Sequence, residues 1–140
     1  MSTRLGQQQC ALLNVLADVL TPAAEGMPAA SAVGIADVLL DQVLNYRPDL
    51  REPLMRILRA ADGQDPESFI RGLADQDPVT FRSFGLIVAG GYYLSPQVRA
   101  LIGYPGQERR PFDPDAIPDH ESEALLDRVR KRGAFWRKTD

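Results

Sequence analysis

The chain has 140 residues, 44% of them hydrophobic, and a formal net charge of -3 at pH 7. These values are typical of one domain with a single buried core, and the negative charge disfavours general binding to nucleic acid. No stretch approaches the roughly 18 uninterrupted apolar residues of a membrane-spanning helix, so we expect no membrane span. Cys10, the only cysteine, lies in an apolar run, which predicts an inert, buried thiol.

Prolines mark where several helices begin. Three pairs combine a side chain that can cap a helix with a proline suited to the first helical position: Asp65-Pro66, Asp77-Pro78 and Ser95-Pro96. Asp49, followed three residues later by Glu52, predicts a fourth helix start of the capping-box type.

Hydrophobic spacing predicts an opening helix over about residues 4 to 20 and a second over about 31 to 46. The segment from Pro78 to about Gly90 is apolar on most sides, which predicts the most buried helix, and a short helix from Pro96 to Ile102 follows. In the first two helices we expect these side chains to face the core: Leu5, Leu12, Leu13, Leu16, Val19, Leu20, Val33, Ile35, Val38, Leu39, Val43 and Leu44.

Residues 103–118 contain two glycines and four prolines, which predicts an extended, irregular arm. A last amphipathic helix is expected over roughly 120 to 132, with Gly133 as its stop. The predicted fold class is all-α: a single-domain bundle of about six to seven short helices. It comprises a helical core (4–102), the arm (103–118), and a C-terminal helix with a basic, aromatic tail (119–140).

The sequence contains no recognisable catalytic pattern. His120, the only histidine, has no further His or Cys ligands nearby, so we expect a solvated residue at a helix start. Asp37 and Asp41 lie one helical turn apart, which favours an exposed helix face over an acid–base pair. Gly90-Gly91 lacks the preceding strand of a phosphate-binding loop and predicts a helix end or a close packing contact. We therefore expect no catalytic, cofactor-binding or metal-binding residue in this chain.

Aromatic and arginine residues in the last third of the chain predict a partner-binding surface. Such residues dominate interface energetics, and proline-rich backbone loses little conformational entropy on docking. The predicted interface residues are Tyr92, Tyr93, Tyr104, Pro105, Arg109, Arg110, Phe112, Phe135 and Trp136. The alternative is that the tyrosines pin the arm against the chain's own helices.

The basic C-terminal stretch has three interpretations. Six Arg and Lys residues between positions 128 and 138 surround Phe135 and Trp136. They could form a solvated helix end, a tail that inserts its aromatic pair into a partner, or a contact with nucleic acid or anionic lipid.

Several segments together resemble a known family. Residues 12–22 read LLNVLADVLTP, residues 26–37 read GMPAASAVGIAD, and YYLSPQV (92–98) and LIGYPG (101–106) follow. In this combination the chain resembles the gluconate 2-dehydrogenase subunit 3 family over roughly residues 10 to 112. The most specific part is the Gly-Tyr-Pro-Gly turn after an aromatic-Leu-Ser-Pro helix start.

The resemblance implies a non-catalytic small subunit that binds a large subunit of the glucose-methanol-choline (GMC) oxidoreductase type. That large subunit would hold FAD and oxidise a sugar, polyol or related alcohol, and a cytochrome c electron acceptor is a further candidate partner. The small subunit would support folding, flavin loading or export of its partner. Family members commonly carry a twin-arginine signal, which Thr3-Arg4-Leu5 is not, so a cytoplasmic location is expected. A periplasmic location would need a signal outside this sequence.

Two other function classes stay open from the residues alone. The chain could be a stand-alone helical adaptor or regulator that self-associates through the same aromatic arm. It could also be a small enzyme that acts through carboxylates such as Asp37, Asp41 and Glu25.

Overall fold

The structure, a computed structural model, describes residues 5–109, 113–118, 121 and 124–133. Its contacts divide the chain into two units, Met1–Gly106 and Gln107–Asp140. The boundary falls inside the predicted arm, so the first unit contains the whole predicted helical core.

Over the described residues the structure has seven α-helices and no β-strand, which confirms the predicted all-α fold class. The helices of the first unit are α1 (Gln7–Leu20), α2 (Val38–Tyr46), α3 (Arg51–Ala61), α4 (Pro66–Gln76), α5 (Pro78–Leu94) and α6 (Pro96–Leu101). Short 3-10 turns, Ser31–Val33 and Pro48–Leu50, lie ahead of α2 and α3. The second unit contains α7 (Asp127–Arg132). Within these described stretches, no helix has both the length and the apolar character needed to cross a membrane.

Helix α5 is the centre of the first unit and packs against α1, α2, α3, α4 and α6. Its Phe84, Ile87 and Val88 side chains are fully buried. Because neighbours surround α5, apolar residues occur on most of its sides, as its sequence predicts. The other fully buried large side chains come from the surrounding elements: Leu13, Leu16, Ile35, Leu40, Leu44, Leu54, Ile57 and Val98.

The three helix starts predicted at prolines are confirmed, each with a side-chain cap. Asp65 accepts a hydrogen bond from the Ser68 N–H at 2.9 Å, and Asp77 accepts one from the Thr80 N–H at 3.0 Å. Ser95 caps α6 in the same way at a longer 3.5 Å. Hydrogen bonds favour the charged carboxylate, so the pKa values of Asp65, through the Ser68 N–H first, and of Asp77, through the Thr80 side chain first and its N–H second, lie below their ordinary range.

The prediction of one continuous helix from 31 to 46 is wrong. The 3-10 turn ends at Gly34, whose φ of 76° is a left-handed conformation that glycine adopts without steric cost. Asp18 of α1 accepts hydrogen bonds from the Ser31 N–H at 2.8 Å and hydroxyl at 2.6 Å, which ties this turn to α1. Helix α2 therefore begins only at Val38. The Val38 side chain is exposed, and the prediction that it faces the core is wrong.

The predicted capping box at Asp49 is also wrong. No side chain caps α3, whose N-cap residue is Leu50. Asp49 instead accepts two hydrogen bonds from Arg47, to Oδ1 at 2.9 Å and to Oδ2 at 2.7 Å. A bidentate guanidinium is a stronger partner for a carboxylate than one backbone N–H, so Asp49 is diverted from the helix.

In the second unit, the last helix is shorter than the predicted 120–132. Ala124 has a φ of 53°, a left-handed conformation that interrupts a helix, and α7 begins at Asp127. Gly133 follows with a φ of 69° and ends the helix, as predicted. His120, at the predicted helix start, lies outside the described residues.

Candidate docking groove

Two adjacent glycines let α5 pack closely against the α2 region. A Cβ atom on Gly91 would lie 3.0 Å from Ile35 Cγ1, and one on Gly90 would lie 3.4 Å from Val43 Cγ2. The interpretation of Gly90-Gly91 as a close packing contact is confirmed. The alternative of a helix end is wrong, because α5 continues to Leu94.

Beside this contact, a groove of about 340 Å³ opens along the C-terminal halves of α2 and α5. Its lining is mostly apolar: Val43, Tyr46, Arg47, Leu50, Leu86, Gly90, Tyr93 and Leu94. Tyr46 is 76% exposed, Tyr93 57% and Leu86 42%. Large apolar side chains gathered in water at a concave site are typical of a binding surface.

Tyr92 holds Tyr93 in place from behind the groove. The Tyr92 ring is buried, and its hydroxyl donates a hydrogen bond to the Pro28 carbonyl oxygen at 2.7 Å. Burial, and to a smaller extent Tyr93, raises the pKa of the Tyr92 phenol. The two rings meet edge to face, with centroids 5.5 Å apart and planes at 86°. Tyr92 is therefore a core residue of this chain, and its ring is not on the surface where the sequence predicts a partner contact.

One ion pair and one further arginine lie beside the groove. Arg47 lines it, and the bidentate contact with Asp49 raises the pKa of Arg47 and lowers that of Asp49. Arg82 lies about one helical turn before Leu86 and three before Tyr93, on the same side of α5. It is exposed and has no ion-pair partner among the described residues. An acidic group beside apolar anchors would complement this rim.

Comparison with protein-family models, curated proteins and solved structures gives no match. The resemblance to the gluconate 2-dehydrogenase subunit 3 family therefore rests on the sequence segments and stays a prediction.

The other predicted interface residues are distributed over both units. Tyr104 and Pro105 are exposed after α6 in the first unit, where the Tyr104 N–H donates to the Arg99 carbonyl oxygen at 2.8 Å. Arg109 is exposed in the second unit. The remaining predicted residues lie outside the described part of the chain: Arg110, Phe112, Phe135 and Trp136. Of the predicted interface residues that the structure describes, only Tyr93 lines the groove.

Tyr46, which lines the groove, is absent from the interface residues predicted from the sequence. It follows Gln42, an exposed polar residue, by one helical turn and therefore lies on the same polar side of α2. An aromatic residue on the polar side of an amphipathic helix was the signal that could have found it. Leu86 was likewise interpreted as part of the buried α5 and is instead partly exposed.

The groups considered for chemistry are exposed (Asp37 and Glu25) or partly buried (Asp41 and Cys10). Asp37 and Glu25 are exposed, Glu25 at the tip of a tight turn closed by Ala24 and Met27. The partly buried Cys10 thiol lies 3.8 Å from the carbonyl oxygen of Ala36. Within the described ranges, no three His, Cys, Asp or Glu residues are placed to hold a metal ion.

Proposed function

We propose that this chain is the non-catalytic small subunit of an FAD-dependent dehydrogenase that oxidises sugars, polyols or related alcohols. In this proposal it docks through the groove on the flavin-bearing large subunit, of the GMC type, and stabilises or matures it. FAD belongs to the partner, and a cytochrome c is a candidate electron acceptor of the complex. The observation that carries the proposal is the apolar groove with Tyr46 and Tyr93 at its rim.

The groove has the properties of a preorganised docking site. Its walls belong to α2 and α5, which pack closely through Gly90 and Gly91, so little backbone ordering is needed on binding. Tyr93 is already oriented by Tyr92, which limits the side-chain entropy that docking would cost. A tyrosine anchor that becomes fully buried in an interface typically contributes about 2 kcal/mol or more.

Two of the groove residues, Tyr93 and Leu94, belong to a segment that carries the family resemblance, which supports the proposal. Within YYLSP, Tyr92 orients Tyr93, and Tyr93 and Leu94 line the groove. Ser95 caps α6, which leads to the exposed Tyr104. The segment from Tyr92 to Tyr104 is thus one continuous stretch of chain with two exposed aromatic side chains, Tyr93 and Tyr104. Exposed aromatic side chains are what a docking surface requires.

A co-purification experiment tests the proposed function. The full chain, tagged and expressed at its native level, would be recovered from its native cells at low salt, with the visible spectrum recorded and the proteins identified. We expect a yellow eluate with a flavin spectrum and a co-purifying GMC-type subunit. A colourless eluate that contains this chain alone would contradict the proposal, and self-association of the chain would then favour the adaptor function.

A further inference from the structure

The C-terminal helix of the second unit exposes apolar and basic side chains next to each other. Leu125, Leu126 and Val129 are all exposed around α7. Four of the six residues of α7 are basic and exposed: Arg128, Arg130, Lys131 and Arg132.

The helix arranges these side chains amphipathically. Leu126, the N-cap residue, and Val129 are three residues apart and therefore lie on one side of α7. With about 100° between successive residues, Arg130 and Arg132 flank that side, and Lys131 points away from it. Arg130 lies 3.4 Å from Glu121 in a half-exposed pair, a weak contact that leaves the guanidinium largely in water.

Charge is segregated along this unit. Residues 128–138 contain six basic residues and no acidic one, although the whole chain has a net charge of -3. Residues 113–127 contain six acidic residues and no Arg or Lys. One end of the unit is thus attracted to a negative surface, and the other end is repelled from it.

We infer that the α7 stretch binds the surface of membranes that contain anionic lipid. A basic helix with one apolar side lies in the headgroup layer, where the apolar side chains leave water and the cations stay hydrated beside lipid phosphates. The sequence continues with Phe135-Trp136-Arg137-Lys138, residue types that favour the same interface.

Two competing partners fit these observations less well. A protein groove would take up Leu126 and Val129 but would make no use of most of the four cations around them, whereas an anionic lipid surface uses both kinds of side chain. Nucleic acid would use the cations but would gain nothing from the exposed Leu126 and Val129. The inference does not depend on the proposed dehydrogenase partner.

Vesicle binding by the full chain tests the inference. Vesicles of phosphatidylcholine alone would be compared with vesicles of equal parts phosphatidylcholine and phosphatidylserine, by co-sedimentation and by the fluorescence of Trp136, the only tryptophan. We expect binding and a blue shift only with the anionic vesicles. Because each basic residue at such a surface contributes about fivefold in partitioning, Arg130→Gln with Arg132→Gln should weaken binding about 25-fold.

A variant with the same charge change elsewhere provides the control. Arg56→Gln with Arg59→Gln removes two exposed cations from α3 and should weaken binding less than twofold, since only the general attraction changes. Circular dichroism would check that each variant keeps its helix content. If the variants do not fold, a salt titration of the unmodified chain decides, because binding should fall steeply as salt rises.

Three results would overturn the inference. One is equal or absent binding to the two kinds of vesicle, and another is an equal loss of binding in the α3 control. The third is tight binding to single-stranded DNA without vesicle binding, which would assign the basic stretch to nucleic acid.

Discussion

Replacing single glycines of α5 by alanine tests how closely this helix packs against the α2 region. Gly85 and Gly91 both lie inside α5, so Ala should bring the same gain in helix propensity at both positions. Their surroundings differ. A Cβ on Gly85 would meet nothing within 4 Å, whereas one on Gly91 would lie 3.0 Å from Ile35 Cγ1 and 3.4 Å from its Cδ1.

The expected free energies follow from this difference. Gly85→Ala should raise the free energy of unfolding by about 0.5 to 1 kcal/mol, the usual gain for Ala over Gly in a helix. At Gly91 the gain is offset by a clash with Ile35, a fully buried side chain with few alternative rotamers. Overpacking of this kind costs about 1 to 3 kcal/mol. The propensity gain cancels in the comparison, so Gly91→Ala should be about 1 to 3 kcal/mol less stable than Gly85→Ala.

Urea denaturation followed by far-ultraviolet circular dichroism measures this difference. The slope of the free energy with denaturant should be the same in both variants, so the midpoints can be compared directly. Equal stabilisation by the two substitutions would refute the close contact between α5 and Ile35. It would also remove the packing argument for a preorganised groove.

Three further predictions concern the caps and the tyrosines. Hydrogen bonds from Thr80 lower the pKa of Asp77, the side chain having the larger effect and the N–H the smaller. The cap therefore stabilises the fold at neutral pH, and this stabilisation is lost as the pH falls through the folded-state pKa of Asp77. Asp77→Ala should therefore lower the melting temperature by a few degrees near neutral pH and by less at about pH 3; an equal loss at both would contradict a charged cap. Tyr92→Phe should reduce the free energy of unfolding by about 0.5 to 1.5 kcal/mol, because the Pro28 carbonyl oxygen loses its donor; unchanged stability in urea denaturation would argue against that hydrogen bond. Tyr93→Ala should change stability by less than about 1.5 kcal/mol, since only the edge contact with Tyr92 is lost, and should weaken partner binding about 30-fold by titration calorimetry. Unchanged affinity would place Tyr93 outside the interface.

Local chemistry made part of the fold predictable. An Asp or Ser directly before Pro provides both the capping oxygen and a first helical residue that has no N–H to satisfy, so two residues are enough to predict a helix start. Asp65, Asp77 and Ser95 all cap as predicted. The 3.6-residue spacing of apolar residues also predicted α1, because the residues of this helix alone show which of its sides is buried.

Competing contacts explain the fold predictions that were wrong or left open. A Gly-Gly pair such as Gly90-Gly91 can mark either a helix end or a close helix contact. Its contacts with Val43 and Ile35, which are distant in the sequence, identify it as a close contact. Asp49 satisfies the local rule for a cap, but Arg47 offers it a bidentate partner. A sequence window of a few residues does not show which of two competing contacts will form.

The candidate site was predictable only in part. Tyr92 and Tyr93 are adjacent and equally suited to an interface by composition, yet one side of α5 faces the core and the other faces the groove. Which of the two tyrosines is buried depends on how α5 is rotated about its axis relative to α2, and this is a property of the tertiary structure. Tyr46 and Tyr93 lie at the same groove only because α2 and α5 pack together, so no local sequence pattern links these two residues.

The central claim is that the groove binds a flavin-bearing dehydrogenase subunit. The most direct measurement is the flavin absorbance that co-purifies per mole of tagged chain, for wild type, Tyr46→Ala with Tyr93→Ala, and Val79→Ala. Val79 lies on α5 outside the groove and is 76% exposed, the same as Tyr46, so it is a matched control. The account predicts that the flavin is retained with Val79→Ala and lost with the double variant. Equal flavin in all three would show that the partner binds elsewhere, and no flavin with any of them would contradict the account.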